Sequence, residues 1–206
     1  MKSVAVSQRI DWKESRSEYR DALDQRLSGI LLEAGFLSYP VPNTINFSET
    51  RYINRWLDKL SPNAVVLSGG NDIAEFDSRD EVEKILIEYA VSKKIPLLGI
   101  CRGMQFLGSF FGATLENILG HAGSRHELIQ PKIGNYNFPK IVNSYHDFSL
   151  RNLPESLEII ATDSEGNCEA ICHKSLPIEG WMWHPEREKP FSTIDIQNIR
   201  RVLNND

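Results

Sequence analysis

Short apolar runs alternate with longer amphipathic segments from the N-terminus to residue 112. The apolar runs, which predict strands, are 3–7, 36–41, 64–67 and 96–100. The segments with helical periodicity are 18–34, 49–60, 79–93 and 102–111, and Gly35 and Gly112 are the expected stops after the first and the last of them. Strands that alternate with helices of this length form a parallel sheet covered on both faces, with right-handed crossovers.

The pattern changes after about Gly120. A loop-rich stretch comes first, and its breaker residues are Pro131, Gly134, Asn135 and Pro139. Three strands joined by turns are then predicted at 157–161, 169–173 and 178–183, and a closing helix at 191–203. We therefore predict an α/β fold, a three-layer sandwich with a mostly parallel central sheet and an antiparallel extension in its second half.

The chain has 206 residues, of which 41% are hydrophobic and 25% charged, and this fits a single domain over residues 1–206. No apolar run reaches the roughly 18 residues of a membrane span, and the N-terminus has no long apolar core typical of a signal peptide. A net charge of −5 without a basic block argues against nucleic acid as a partner. Three cysteines are few for a disulfide framework. We therefore expect a cytoplasmic protein that binds neither membranes nor nucleic acid.

The segment Gly99–Gln105 lies where an apolar strand gives way to a helix, and Cys101 is at its centre. Such a turn presents its central side chain at the carboxyl end of the sheet, where open α/β sheets bind ligands. The strained backbone of this turn requires small neighbours, which Gly99 and Gly103 provide. The following helix directs its positive end at the sulfur and favours the thiolate. The Arg102 N–H is then placed to stabilise an oxyanion beside that sulfur.

Cys168 and Cys172 lie in a predicted strand without flanking glycines, and both are expected to face the same side of it. We interpret them as packing residues, which is the usual role of a cysteine in an apolar setting. No Cys-x-x-Cys spacing or paired histidine spacing accompanies them. The sequence therefore predicts no metal site.

A cysteine nucleophile needs a base, and the base needs a group that orients it. His184 follows an apolar strand, and Pro185 directs the chain so that Glu186 can lie on the same side as the imidazole. His184 is the favoured base because a carboxylate is so close to it in sequence. The alternatives are His146, which could line the cleft, and three histidines expected in loops or at the surface, His121, His126 and His173.

A second oxyanion donor is expected at the end of the neighbouring strand. Ser68-Gly69-Gly70 follows the third strand, and paired glycines let the backbone approach a ligand closely. The Gly70 N–H is therefore predicted to point at the cleft. A bare Gly-Gly pair also occurs in ordinary tight turns.

In this order, Ser68-Gly69-Gly70, Gly99–Gln105 and His184-Pro185-Glu186 resemble the motifs of class I glutamine amidotransferases and of the related γ-glutamyl hydrolases of peptidase family C26. The resemblance spans almost the whole chain and implies a flavodoxin-like fold. It implies a Cys101–His184–Glu186 triad and an oxyanion hole formed by the backbone N–H groups of Gly70 and Arg102. No metal or organic cofactor is implied.

The same resemblance implies that Gln105 and the stretch Tyr145, His146 and Asp147 bind the α-amino and α-carboxylate ends of a γ-glutamyl substrate. One departure is Asn71-Asp72, where amidotransferases usually have proline after the paired glycines. This difference favours the hydrolase branch of the family.

Four segments are similar to the subfamily of γ-glutamyl-CDP-amidate hydrolases, which release glutamate and cytidine diphosphoramidate for capsule phosphoramidate synthesis. They are Ser7-Gln8-Arg9, Gly69–Asp72, Val142–His146 and Trp183–Phe191. This likeness implies a nucleotide-linked, anionic leaving group. The candidate contacts to it are Arg9, Arg125 and Arg187, which adjoin predicted cleft segments. Solvated surface arginines are the alternative interpretation of each.

The expected function is thus cysteine-dependent hydrolysis of a γ-glutamyl amide, a small-molecule substrate. Two alternatives within the family are a glutaminase subunit that delivers ammonia to a synthase and a hydrolase of another amide such as γ-glutamyl-aminobutyrate. A binding domain that has lost catalysis is an alternative of a different class, but the three residues of the implied triad are all present.

Overall fold

The computed structural model describes residues 1–46, 50–130 and 136–205. Its helices are α1 (Gln25–Glu33), α2 (Thr50–Leu60), α3 (Asp77–Lys93), α4 (Arg102–Phe111) and α5 (Thr193–Asn204). The strands before α4 are β1 (Lys2–Val6), β2 (Arg9–Lys13), β3 (Glu18–Ala22), β4 (Phe36–Pro40), β5 (Ala64–Leu67) and β6 (Leu97–Ile100). Those after it are β7 (Thr114–Asn117), β8 (Ser124–Glu127), β9 (Ile141–Ser144), β10 (Phe148–Arg151), β11 (Leu157–Thr162), β12 (Cys168–His173) and β13 (Ile178–Trp181).

Within the described residues, seven strands form the central sheet in the order β11, β12, β13, β6, β5, β1, β4. The pairs from β13 to β4 are parallel, and β12 and β11 are added antiparallel. The predicted α/β architecture with an antiparallel extension is therefore confirmed. Glu49, the expected start of the second helix, and Pro131, Gly134 and Asn135 lie outside the described residues.

The buried side chains divide into two apolar clusters, one on each face of the sheet. Alternation along β5 sends Val66 to the cluster under α1 and α5, and Val65 and Leu67 to the cluster under α2, α3 and α4. Because both faces are covered, the parallel strands are continuously apolar, as the burial of the whole of β5 and β6 shows. These three layers hold the strand ends rigidly, which matters for any site built there.

The sheet register brings three strand ends together. Leu67 of β5 is paired with Gly99 of β6, and Trp181 of β13 is paired with Ile100. Residues 68–70, Cys101 and His184 all follow these ends, so the predicted site residues leave the sheet from neighbouring strands at one edge.

The predicted helix at 18–34 is wrong in its first part. Residues Glu18–Ala22 form β3, which pairs antiparallel with β2, and the Tyr19 ring packs on Trp12 with centroids 4.6 Å apart. The helix starts after Asp24, whose carboxylate accepts a hydrogen bond from the Arg26 N–H. Tyr19, Ala22 and Leu23 also fit a helical period, so periodicity alone does not distinguish a strand from a helix here. Pairing with β2 makes this segment a strand.

Besides β2 and β3, four further strands among the described residues were not predicted: β7 pairs with β10, and β8 pairs with β9. They form two small ribbons beside the main sheet, with strands between residues 114 and 127 and between residues 141 and 151. Their alternation is short and mostly polar, so it gave no clear periodic signal. No described helix has the length and apolar character that crossing a membrane requires.

The strand β12 contains an irregularity that the sequence did not reveal. Its pairing with β11 shifts register on both sides of Ala161, which leaves Glu169 as an extra residue between Cys168 and Ala170. As a result Cys168 and Cys172 belong to opposite apolar clusters, and the expectation that they share a face is wrong.

Candidate active site

Cys101 lies at the junction between β6 and α4, with φ 51° and ψ −109°. Its N–H donates to the Trp181 carbonyl at 2.7 Å, which fixes the junction against β13. A Cβ at Gly99 would lie 2.7 Å from the Gly103 carbonyl carbon, and a Cβ at Gly103 would overlap the Leu67 carbonyl. Glycine is therefore required on both sides of the cysteine, as the sequence predicted. A positive φ at a non-glycine residue is a strained conformation of the kind found at functional sites.

His184 is buried, and its Nδ1 lies 2.6 Å from Glu186 Oε1. Residues Pro185–Arg187 form one turn of 3-10 helix with proline at its start, and this turn brings Glu186 back beside the imidazole. Asn143 holds the His184 backbone from the other side: its Oδ1 accepts from the His184 N–H at 3.0 Å and its Nδ2 donates to the His184 carbonyl at 2.9 Å.

The pKa of His184 is raised to about 9. Burial lowers it, but hydrogen bonds to Cys101 and Glu186 and the negative charges of both groups outweigh burial. A protonated imidazole beside Cys101 and Glu186 is therefore favoured at neutral pH. The structure brings Cys101, His184 and Glu186 together. In cysteine hydrolases the nucleophile, the proton carrier and the acceptor that orients it have this arrangement.

The turn Ser68–Gly70 passes against the imidazole and is held in place by Arg79. A Cβ at Gly69 would lie 2.6 Å from His184 Cε1, so a side chain there would displace the ring. The Arg79 guanidinium donates to the carbonyls of Ser68 at 2.8 Å, Gly69 at 3.0 Å and Gly70. Since the carbonyl and N–H of one trans peptide point in opposite directions, the Gly70 N–H is turned away from Arg79.

Beneath this turn lies a buried ion network that the sequence analysis missed. Arg79 Nε donates to Glu83 Oε1 at 3.1 Å, and the Arg102 guanidinium pairs with both Glu83 and Asp80. The Arg102 side chain therefore points into the network, and only its backbone N–H is available to the cleft. A sequence signal existed, because Arg79 and Glu83 lie on the same helical face as the apolar residues Val82 and Leu86.

Two cavities flank Cys101 and His184, and Gly70 lines both. The cysteine-side cavity, about 390 Å³, is bordered by Gly70, Asn71, Asp72, Glu75, Cys101, Arg102, Gln105 and 145–148. The histidine-side cavity, about 140 Å³, is bordered by Arg9, 22–24, Leu27, 68–70, His184, Glu186 and Arg187. A substrate lying across the sulfur could place one end in each.

The residues implied to bind the glutamyl group differ in how they face the cysteine-side cavity. Gln105 is buried and its Nε2 donates to the Phe148 carbonyl at 3.3 Å. Tyr145 is half exposed, edge-on to the His184 ring at 5.8 Å between centroids, and Asp147 is exposed at the rim. His146 is buried with its ring nitrogens toward the Phe148 carbonyl and Glu169, so its imidazole is turned away from the sulfur.

Of the three arginines expected near the leaving group, two line the histidine-side cavity. Arg9 lies next to Gly70, where a Cβ would approach its Cδ to 2.9 Å, and Arg187 stacks over the Tyr145 ring at 4.2 Å. Arg125 lines neither cavity, and its guanidinium pairs with Glu188 at 2.9 Å.

Asn71 has a structural role. It occupies the position where amidotransferases usually have proline. Its Oδ1 accepts from the Ile10 N–H at 2.8 Å and its Nδ2 donates to the Ile10 carbonyl at 3.1 Å. These two bonds fasten β2 to the glycine turn and bring Arg9 to the cavity. Proline could make neither bond.

The remaining cysteines and histidines are outside these cavities, His146 excepted. Burial raises the pKa of Cys168 to about 12 and also raises that of Cys172, which fits packing roles. His173 is half buried beside Phe111. His121 was expected in a loop or at the surface; it lies in a loop but is buried, and with His126 it faces Glu169. Among described residues, His121, His126 and Glu169 could hold a metal ion.

Three comparisons relate the chain to known proteins. Residues 17–192 match the family model described as glutamine amidotransferase class-I. The chain is 34% identical over 202 residues to the γ-glutamyl-CDP-amidate hydrolase of Campylobacter jejuni, and the match covers 94% of each protein. It is 29% identical over 165 residues to a subunit of the GMP synthase (glutamine-hydrolyzing) of Methanocaldococcus jannaschii, covering 78% of this chain and 81% of that one.

Among solved structures, the crystal structure of a glutamine amidotransferase from Thermotoga maritima superposes with a TM-score of 0.65 at 19% identity. The superposition covers 98% of this chain and 84% of that one. At this identity the likeness shows the shared fold alone.

Proposed function

Because the chain belongs to the class I glutamine amidotransferase family, we propose that it hydrolyses the amide bond of a γ-glutamyl substrate with Cys101 as the nucleophile. In this proposal His184 carries the proton and Glu186 orients His184. The observation that supports the proposal is the 2.6 Å contact between His184 Nδ1 and Glu186 Oε1. The same imidazole also hydrogen-bonds Cys101, which lies at the strained strand–helix junction.

In the first step the Cys101 thiolate attacks the γ-carbonyl carbon and a C–S bond forms. The carbonyl oxygen becomes an oxyanion. As the C–N bond breaks, His184 gives its proton to the departing nitrogen, and a γ-glutamyl thioester remains. An imidazole whose pKa is about 9 is charged at neutral pH and can supply this proton.

In the second step His184, now neutral, removes a proton from water, and the hydroxide attacks the thioester carbon. The C–S bond breaks, glutamate leaves, and the thiolate and imidazolium are restored. Glu186 stabilises the imidazolium in both steps, because it accepts from Nδ1 at 2.6 Å and leaves Nε2 for the reacting groups.

Two backbone N–H groups are proposed to stabilise the oxyanion. The Arg102 N–H is at the first turn of α4, next to the sulfur, and the Gly70 N–H is turned away from Arg79 at the border of both cavities. Each donor is worth about 3 kcal/mol of transition-state stabilisation in comparable enzymes. Arg79 is then a positioning residue, since it fixes the carbonyls whose orientation sets that of the Gly70 N–H.

The glutamyl group is proposed to occupy the cysteine-side cavity. Gln105, Tyr145 and Asp147 border it and offer polar groups at its floor and rim, while the His146 ring is directed elsewhere. The leaving group is proposed to occupy the histidine-side cavity, where Arg9 and Arg187 supply positive charge. An anionic leaving group such as cytidine diphosphoramidate fits this charge, and the Campylobacter jejuni relative bears the name of that activity.

We therefore propose γ-glutamyl-CDP-amidate as the substrate and capsule phosphoramidate synthesis as the use of the product. Cytoplasm is the proposed compartment, because a nucleophilic thiol persists in reducing surroundings.

A panel of γ-glutamyl amides tests this substrate assignment. The purified protein is incubated with γ-glutamyl-CDP-amidate, γ-glutamyl-aminobutyrate and free glutamine, and released glutamate gives kcat/KM for each. We expect a preference of at least about 100-fold for the CDP-amidate, because its diphosphate can make charge-assisted contacts with both arginines, whereas ammonia can make none and the single carboxylate of aminobutyrate fewer.

Arginine variants sharpen that test. Arg187→Gln should raise KM for γ-glutamyl-CDP-amidate about tenfold and leave KM for free glutamine, whose leaving group is ammonia, unaffected. Arg125→Gln is the matched control, because Arg125 pairs with Glu188 outside both cavities. Equal kcat/KM on all three amides would disprove the leaving-group assignment and leave the amide hydrolase itself intact.

The similarity to the Methanocaldococcus jannaschii protein favours a second candidate, a glutaminase that supplies ammonia to a synthase partner. This function uses the same three residues but acts on free glutamine. Fast turnover of free glutamine, increased by a synthase partner and absent on γ-glutamyl-CDP-amidate, would favour it.

A further inference from the structure

Three histidines converge on the carboxylate of Glu169, and of these four residues His146 also borders the cysteine-side cavity. His121 lies in the loop before β8, His126 on β8 and His146 in the loop between β9 and β10. Glu169 is the extra residue of β12, where the shift in register redirects its side chain. The side chains of His146 and Glu169 are fully buried, and those of His121 and His126 are 8% and 15% exposed.

The spacing of the donor atoms is that of ligands around one ion. His126 Nε2 is 3.2 Å from Glu169 Oε2, and His146 Nε2 and His121 Nδ1 are 3.4 and 3.9 Å from Glu169 Oε1. Tetrahedral zinc with bonds of about 2.1 Å separates its ligand atoms by roughly 3.4 Å. Atoms from His121, His126 and Glu169 all lie within 4.8 Å of one another, and His146 faces the same carboxylate.

The polar atoms of this cluster lack hydrogen-bond partners. His146 Nδ1 lies 3.0 Å from the Phe148 carbonyl, which can only accept, so Nδ1 donates there and Nε2 is the nitrogen that faces Glu169. The buried atoms His121 Nδ1, His126 Nε2, His146 Nε2 and both Glu169 oxygens have no partner of hydrogen-bond geometry among the described residues. Polar atoms left without partners in a buried site are satisfied when a cation is bound between them.

His121 also has polar neighbours on the side of its ring that is opposite Glu169. Its Nε2 is 3.2 Å from Asp163 Oδ2 and 3.4 Å from Asn167 Nδ2. Asp163 itself is fixed by the Glu165 and Asn167 N–H groups at 2.9 and 2.8 Å. A carboxylate behind a histidine holds the ring and strengthens its outer nitrogen as a ligand, which is the usual support of a metal-binding histidine.

We propose that His121, His126 and Glu169 bind one divalent transition metal ion and that His146, which faces the same carboxylate, completes the ligand set when the ion binds. Imidazole and carboxylate donors suit Zn²⁺ best. A site closed by four protein ligands in this way has a structural role. It fastens the loop of residues 145–147, which borders the cysteine-side cavity, to β12 of the central sheet. The spacing of these residues along the chain matches no metal motif, which is why the sequence predicted none.

Metal binding by the whole chain tests the proposal. Protein purified without a polyhistidine tag is stripped with a chelator, titrated with Zn²⁺ or Co²⁺ alone, and its bound metal measured by mass spectrometry. We expect one ion per chain, visible Co²⁺ absorption of tetrahedral intensity, and a higher Tm with metal than without it.

Variants assign the ligands. His126→Asn removes the most exposed ligand and should weaken Zn²⁺ binding more than 100-fold, because even outer partners of a ligand typically contribute 10–100-fold. Asp163→Asn, which keeps the size of the side chain beside His121 but removes its charge, should weaken Zn²⁺ binding 10–100-fold. His173→Asn is the matched control, because this histidine lies outside the cluster, and it should bind Zn²⁺ like the wild type.

Two results would overturn the proposal. One is a wild-type chain that binds less than a stoichiometric amount of Zn²⁺ and shows no tetrahedral Co²⁺ spectrum, in which case protons on the imidazoles neutralise Glu169. The other is a His126→Asn variant that binds as tightly as the wild type. The wild-type measurement decides the question even if a variant fails to fold.

Discussion

Among the described residues, two buried groups bring histidine against a carboxylate, and they differ in their hydrogen bonding. In the first group His184 and Glu186 are two residues apart in sequence, and His184 Nδ1 lies 2.6 Å from Glu186 Oε1. This contact and the neighbouring Cys101 raise the pKa of His184. In the second group Glu169 faces three histidines from three other segments at 3.2 to 3.9 Å, without hydrogen-bond geometry.

The difference indicates what each group is suited to do. An imidazole with one short, satisfied hydrogen bond and a nucleophile on its other side can move a proton back and forth. Imidazoles whose lone pairs converge on a carboxylate are suited to hold a cation in place. The same residue types are thus proposed to support proton transfer in one region and metal binding in the other. The difference lies in whether the imidazole and carboxylate atoms have hydrogen-bond partners.

The largest expected effect is that of Cys101→Ala, which should reduce turnover of the preferred γ-glutamyl amide by about 10⁴-fold or more. The fold, Tm and Zn²⁺ stoichiometry should stay as in the wild type, since the second group is untouched. Glutamate release and metal content are measured on the same preparation. Cys172→Ala is the control, and substantial activity in Cys101→Ala would remove the nucleophile from the proposal.

Glu186→Gln should reduce kcat about 10³- to 10⁴-fold, because the amide neither stabilises an imidazolium nor fixes its tautomer. Loss of this charge and hydrogen bond lowers the pKa of His184. In the wild type, activity should fall as the pH rises through about 9 and the imidazolium loses its proton, and the variant's residual activity should fall at lower pH. Comparing the two pH–rate profiles checks this. An unchanged alkaline limb would show that His184 is not the acid.

Gly69→Ala should reduce kcat about 100-fold, because its Cβ would lie 2.6 Å from His184 Cε1 and the imidazole must move. Gly29→Ala serves as the control, since its Cβ would meet Phe191 at an ordinary 3.4 Å. Steady-state kinetics with circular dichroism separates displacement of the ring from unfolding. A fully active Gly69→Ala enzyme would mean that the position of the ring is unimportant.

Alkylation should reveal the smallest of these differences. Iodoacetamide at neutral pH should label Cys101 at least about tenfold faster than Cys168 or Cys172, because burial raises the pKa of both latter thiols whereas Cys101 faces a protonated imidazole. Peptide mapping over time gives the three rates. Equal rates in the folded protein would argue against an activated thiolate.

Much of the first group could be predicted because its determinants are local. Gly99 and Gly103 flank Cys101 for steric reasons that operate within one turn, and Pro185 sets the geometry between His184 and Glu186 within four residues. The parallel strands were predictable for a similar reason, since a strand buried on both faces is continuously apolar.

The second group and the supports of the first escaped prediction because their parts come from different elements of the fold. Arg79 reaches the glycine turn from α3, Asn143 holds His184 from 41 residues away, and the β2–β3 hairpin replaces a segment with helical periodicity. In each case a partner on another element decided the conformation or the role of the residue.

By itself, the sequence determined the order of strands and helices in the sheet's parallel half, the strained cysteine turn and the carboxylate beside His184, because each depends on sterics or periodicity within a few residues. The tertiary structure alone decided which charged side chains are buried, which arginines border the cavities and that three histidines meet Glu169. Those outcomes depend on strand register, and one shift in β12 was enough to redirect Glu169.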